Sequence, residues 1–256
     1  MNEQTMFSNE QIPYGKLAKL GISEEKLRSM PENLRNTLMD GKVSPFIQAQ
    51  IQTENGKVIG LPLKLQMVKD QTGAILLMTY PIRRTIANDM KLNATELERV
   101  SRGEVIQKET NENGIRMKKY VQLDRETKSL MQKNITQVRL TEKLREMEKI
   151  NDIELGQNQK QAALDGKPIE LSIGESKVYV GVDLREPQGF KVVNGDMQEW
   201  EKQQKMRYDV ANEGFMGYVM TDENRWQYQQ VGDKLSHQEK EEKQERSRKE
   251  SVIKLT

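Results

Sequence analysis

The sequence predicts an α+β protein of three repeated helix-plus-antiparallel-meander units, closed by a final aromatic hairpin and a charged C-terminal helix or disordered tail. Three observations predict it. First, a helical stretch ends three times in Gly followed by a charged residue and a β-type run, at Gly41-Lys42, Gly103-Glu104 and Gly166-Lys167. Glycine is the expected residue there, because it turns left-handed past a helix end without a Cβ penalty. Second, Asn55-Gly56 and Asn113-Gly114 are hairpin signals between runs that alternate, and each unit carries two such turns. Third, only 35% of residues are hydrophobic and they are spread evenly. That favours several small units over one large core.

The elements follow in order. Leu27, Leu34 and Leu38 fall roughly along one helical face before Gly41. Strands are then expected over Pro45 to Thr53, Lys57 to Val68 and Ala74 to Tyr80. Asn93 with Glu96 makes a capping box for the second helix, followed by strands at Val105 to Thr110, Ile115 to Leu123 and Lys128 to Gln132. A connecting helix spans Leu140 to Ile150. The third unit places strands at Pro168 to Ile173, Lys177 to Val182 and Phe190 to Val193, where Val178, Val180 and Val182 share one face. A helix from Asp196 to Val210 anchored by Trp200 precedes the hairpin of Gly214 to Thr221 and Arg225 to Gln230, which is expected to pack on that helix. These readings divide the chain at 1–92, 93–150, 151–235 and a tail at 236–256.

Composition excludes whole classes of chemistry. With no cysteine there is no disulfide, thiol nucleophile or thiolate metal site, and the one histidine, His237, lies in the charged tail. No apolar run approaches a membrane span, and the N-terminus lacks a basic start with an apolar stretch, so a cytoplasmic protein is expected. No P-loop, dinucleotide fingerprint or EF-hand spacing occurs. Asp70, Asp124 and Asp183 recur at matching points and could suggest metal ligands. Each opens a turn after a strand, which explains them more simply. No catalytic residue, metal or cofactor is expected.

The net charge of +2 hides an asymmetry: residues 42–145 carry 19 bases and 11 acids, whereas both flanking segments are net acidic. Arg83, Arg84, Arg99, Arg102, Arg116, Lys118, Lys119, Lys128 and Lys133 make this stretch a candidate phosphate-binding face. The commoner use of such residues is solvated surface, and self-association with the acidic end is a third use. Phe215, Tyr218, Trp226 and Tyr228 could form a base-stacking platform, although the core of a small hairpin is the commoner role.

A resemblance can be placed on particular residues. Leu164-Asp-Gly-Lys-Pro-Ile169, Val178-Tyr-Val-Gly-Val-Asp183, Gly189 to Trp200 and Gly214 to Val219 followed by Asn224-Arg-Trp226, with Arg116 to Asp124 before them, resemble the uncharacterised bacterial family called domain of unknown function 3945, over roughly residues 97–232. Ile12 to Ile22 more loosely resembles a companion family of unknown function. The resemblance implies a setting on mobile elements of gut anaerobic bacteria and no mechanism. The expected function is a non-enzymatic accessory binding module contacting nucleic acid or a DNA-processing protein through residues 42–145. The alternatives are a protein-interaction part without nucleic-acid contact and a carboxylate-based, metal-dependent nuclease.

Overall fold

The structure, a computed structural model, describes residues 6–206 and 216–231 apart from 54, 71, 113, 222 and 224. It is a mixed α+β chain. Three short helices open it: α1 (Tyr14–Ala18), α2 (Glu24–Arg28) and α3 (Glu32–Met39). The Leu27–Leu34–Leu38 stripe is thereby divided between α2 and α3, not carried on one helix. Pro31, which has no amide to donate and disfavours helix at Met30, separates them. All three leucines are still buried in one core with Ile47, Leu63, Leu65 and Met67.

Helices α3, α4 (Ala94–Ser101) and α6 (Gln157–Leu164) end alike. Gly41, Gly103 and Gly166 have φ of 71°, 94° and 86°. One residue further on, Lys42, Glu104 and Lys167 donate backward to the carbonyls of Thr37, Arg99 and Ala162 at 3.0, 3.1 and 3.0 Å. Each helix end thus satisfies its last carbonyls before the chain enters a strand. Helix α4 also opens as its sequence predicts, with Asn93 and Glu96 exchanging side-chain-to-backbone bonds at 2.8 and 2.9 Å.

Three antiparallel meanders follow these helices: β1 (Phe46–Gln52), β2 (Val58–Lys69) and β3 (Ile75–Pro81); β4 (Ile106–Glu112), β5 (Ile115–Asp124) and β6 (Ser129–Asn134); β7 (Ile169–Ile173), β8 (Ser176–Val182) and β9 (Phe190–Asn194). Helix α5 (Leu140–Asn151) connects the second to the third, and α7 (Met197–Met206) follows the third. One core joins both later sheets, from Tyr120 and Met131 through Leu140, Leu144 and Met147 to Val178, Val180 and Val182. Helix α4 covers the other face of the second sheet through Val100, Ile106 and Val121.

The final hairpin, β10 (Met216–Met220) and β11 (Trp226–Gln230), does not pack on the Trp200 helix as expected. It extends the first sheet, whose order is β11-β10-β1-β2-β3, through a parallel pairing of Phe46 with Gly217 and Ile47 with Tyr218. Asn33 Nδ2 donates to the Tyr218 hydroxyl at 2.9 Å, and Trp226 Nε1 to the Lys26 carbonyl at 2.9 Å. Those N-terminal groups, remote in sequence, capture the hairpin. Trp200 instead packs with Tyr179 and Val193. The expected tail at 236–256, with His237, lies outside the described residues, as does Phe215.

Candidate functional site

Strand β2 is buried on both faces from Pro62 to Met67. Leu63, Leu65 and Met67 face the N-terminal helices, and the alternate residues Lys64 and Gln66 are buried as well, against the later two sheets. A buried ammonium must be paired. Lys64 Nζ lies 3.1 and 3.0 Å from the two carboxylate oxygens of Asp124, donates also to Glu126, and stands 5.1 Å from the centre of the Phe46 ring. Thr127 Oγ1 donates to Asp124 at 2.7 Å. Burial pushes the Glu126 carboxyl above its ordinary range, Lys64 pulls it back, and Asp124 adds to the rise.

The Asp183–Gly189 turn of the third meander closes the same junction. Arg185 donates from Nε and Nη2 to the two oxygens of Asp183 at 2.7 and 2.8 Å, and both side chains are buried. Gln66 Nε2 donates to the carbonyls of Gly41 and Leu184 at 3.1 and 3.2 Å, and its Oε1 accepts from the Tyr80 hydroxyl at 2.9 Å. The Leu184 amide donates to Gln122 Oε1 at 2.7 Å. All three sheets therefore meet at one polar hub. Among the described residues no buried side-chain nitrogen or oxygen lacks a partner. A fully satisfied network of this kind fixes geometry. A cleft of about 390 Å³ adjoins it, lined in part by Lys42, Glu126, Arg185, Glu186 and Tyr228.

The three recurring aspartates behave differently. Asp70 accepts from the Thr72 hydroxyl and from the amides of Thr72 and Ala74, and the hydroxyl bond leads in holding its carboxyl below the ordinary range. Asp183 accepts from the Arg185 amide at 3.1 Å besides its ion pair. Asp124 serves Thr127 and Lys64. Two of the three are thus turn residues that also anchor buried cations.

The structure gathers part of the basic stretch. The segment after β3 crosses the β5–β6 turn, where the Arg83 amide donates to Thr127 O at 3.0 Å and Lys128 Nζ to the Arg84 carbonyl. Arg125, in that turn, donates from Nη2 to Arg102 O at 2.7 Å. Arg83, Arg84, Arg102, Arg125 and Lys128 are all exposed around residues 125–128. Lys128 holds φ at 54°, a left-handed conformation uncommon for a residue with a side chain. The remaining cations lie elsewhere. Arg99 pairs with Glu104 at 2.8 Å, Lys118 with Glu109 at 3.8 Å, and Lys119 with Glu112; Lys133 donates to Pro187 O, and Arg116 stands across from Asn111 toward the β4–β5 hairpin end. The Arg102 side chain also pairs with Glu98.

Sequence reasoning missed Lys64, Arg125, Glu126 and Arg185. Lys64 had a signal, a lone cation in the apolar run Leu61 to Val68. Of the aromatics, Tyr218 is buried with its ring centre 5.0 Å from that of Tyr228, Trp226 is half-buried, and Tyr228 is 55% exposed. Among the described residues Tyr228 is thus the one open ring of the four, and Phe215 lies outside them. Among the described residues no three His, Cys, Asp or Glu side chains group to hold a metal ion, and no helix is long and apolar enough to cross a membrane.

With this geometry in place, the decisive comparison is with known families. Residues 7–91 match the family described as "Protein of unknown function (DUF4099)". The DUF4099 match takes in the N-terminal helices and the first meander, including Lys64, Gln66 and Tyr80, and ends before α4. It is a different family from domain of unknown function 3945, and it lies outside the 97–232 stretch on which that resemblance rests. No curated protein and no solved structure matches the chain.

Proposed function

We propose that this chain is a non-enzymatic binding module that holds nucleic acid by its phosphates at the β5–β6 turn. The observation supporting this reading is the convergence of Arg83, Arg84, Arg102, Arg125 and Lys128 around residues 125–128. Cations within one Debye length of each other, about 8 Å at physiological salt, add their fields; within this group Arg102 pairs with Glu98, as Lys118 and Lys119 on β5 pair with acids of β4. Each phosphate neutralised releases counterions, so a cluster of this size gives affinity without reading sequence. On the resemblance over residues 97–232, the setting proposed is a mobile element. The shared closures at Gly41, Gly103 and Gly166 support reading the three helix-plus-meander segments as one repeated unit.

A second reading, a protein partner, is favoured by Val58, Ile59 and Ile115, which are 58%, 47% and 64% exposed near the ends of the β1–β2 and β4–β5 hairpins. A gel-shift series separates the two. The full chain should retard short single- or double-stranded DNA at low salt, and Arg83→Glu with Lys128→Glu should abolish the shift while circular dichroism is unchanged. No shift from the unmodified chain, or an unaltered shift from a folded variant, overturns the nucleic-acid reading.

A further inference from the structure

Between β2–β3 and the edge strand β6 lies a cleft of about 520 Å³ whose apolar walls include Leu76, Met78, Met117, Met131 and Leu184. Lys133 lines it. Its Nζ donates to the Pro187 carbonyl, which neutralises no charge. The acids of the same cleft are engaged elsewhere, Glu112 by Lys119 and Asp70 by the amides and hydroxyl of its own turn. Tyr80, also on the wall, spends its hydroxyl on Gln66. A desolvated lysine without a carboxylate loses its proton readily. Burial pushes the Lys133 amine down to about 8.

We propose that Lys133 is a covalent-binding site that takes a small anionic carbonyl compound as a Schiff base. The neutral amine can keep one N–H on the Pro187 carbonyl while its lone pair adds to the carbonyl carbon of the ligand. A C–N bond forms, the two protons of the amine leave with the carbonyl oxygen as water, and an imine remains; no oxidant or reductant is required. Lys69 on the same cleft supplies positive charge for the ligand's anionic group. This site is separate from the β5–β6 turn and does not depend on it.

Near neutral pH an amine with a value of about 8 has roughly two hundred times the unprotonated fraction of an ordinary lysine. Allowing for its lower intrinsic nucleophilicity leaves roughly a tenfold rate advantage. The test treats the full chain with limiting pyridoxal 5′-phosphate, traps imines with borohydride, and counts label per lysine by peptide mass spectrometry. Lys133 should carry about tenfold more label than the exposed Lys118. Lys133→Arg, which keeps a donor for Pro187, should lose that peptide's label with the other lysines unchanged. Labelling of Lys133 at or below the level of Lys118 overturns the proposal. Pyridoxal without its phosphate should label Lys133 several-fold less, and equal labelling overturns the anionic requirement.

Discussion

Replacing Lys64 by Met should be among the most destabilising single changes this chain can suffer. The Lys64 and Asp124 side chains are 7% and 1% exposed, and Glu126 shares the same ammonium. Methionine fills the volume of the lysine stem, so the loss is electrostatic: Asp124 is left with the Thr127 hydroxyl and no counter-charge. Removing one partner of a buried pair costs about 3–5 kcal/mol, because the remaining charge stays desolvated. At roughly 2–4 °C per kcal/mol for a chain of this size, the melting temperature should fall by about 6–20 °C. By contrast, breaking the exposed Arg28–Glu24 pair, whose side chains are 75% and 51% exposed, should cost only about 0.3–0.5 kcal/mol. Urea unfolding followed by circular dichroism reads both. The double change Lys64→Met with Asp124→Leu should recover more than half of the loss, since apolar replacement of a whole buried pair is close to neutral. A Lys64→Met cost below about 1 kcal/mol, comparable to an exposed pair, would refute the hub as the junction of the three sheets.

Two further outcomes follow from named residues. Burial raises the Glu126 carboxyl in the folded chain, so the folded state keeps that proton to higher pH than the unfolded state does. This contribution is complete below about pH 4.3, the ordinary Glu value, and is lost as pH rises through the folded value. Glu126→Gln removes it, so the stability of wild type minus that of the variant should fall from acid to neutral pH; a difference that is flat or rises contradicts the assignment. A methyl group at Gly217 would sit 2.7 Å from the Phe46 carbonyl oxygen, closer than packed atoms allow. Gly217→Ala should therefore release the β10–β11 hairpin from β1, seen as red-shifted Trp226 emission in a Trp200→Phe background, and unchanged emission would count against the parallel pairing.

The strands were legible because their turns are local. Asn-Gly and Gly signals placed the nine meander strands within one or two residues of where they lie, and Asn93 with Glu96 marked the start of α4 to the residue. The hub was not legible, because Lys64 finds Asp124 across 60 residues of sequence and nothing beside that lone cation in its apolar run names the partner. Nor could the hairpin be placed. A two-residue parallel pairing between Phe46–Ile47 and Gly217–Tyr218 has no turn to announce it, so the helix of Trp200, which precedes the hairpin in sequence, was the natural and mistaken partner. Sequence windows found Arg83-Arg84 and Lys128 separately, while in the denser local group Lys118 and Lys119 proved to face acids along the β4–β5 ribbon and Arg116 stands across from Asn111.

The measurement that bears most directly on the proposed function is the salt dependence of DNA binding, read by fluorescence anisotropy for the unmodified chain and for the triple variant Arg83→Ala, Arg84→Ala and Lys128→Ala. If about three phosphates meet these cations, log K against log salt should fall with a slope of roughly −3 for duplex DNA, and the triple variant should flatten it toward zero. Binding whose slope is the same in both proteins would contradict a phosphate site at the β5–β6 turn.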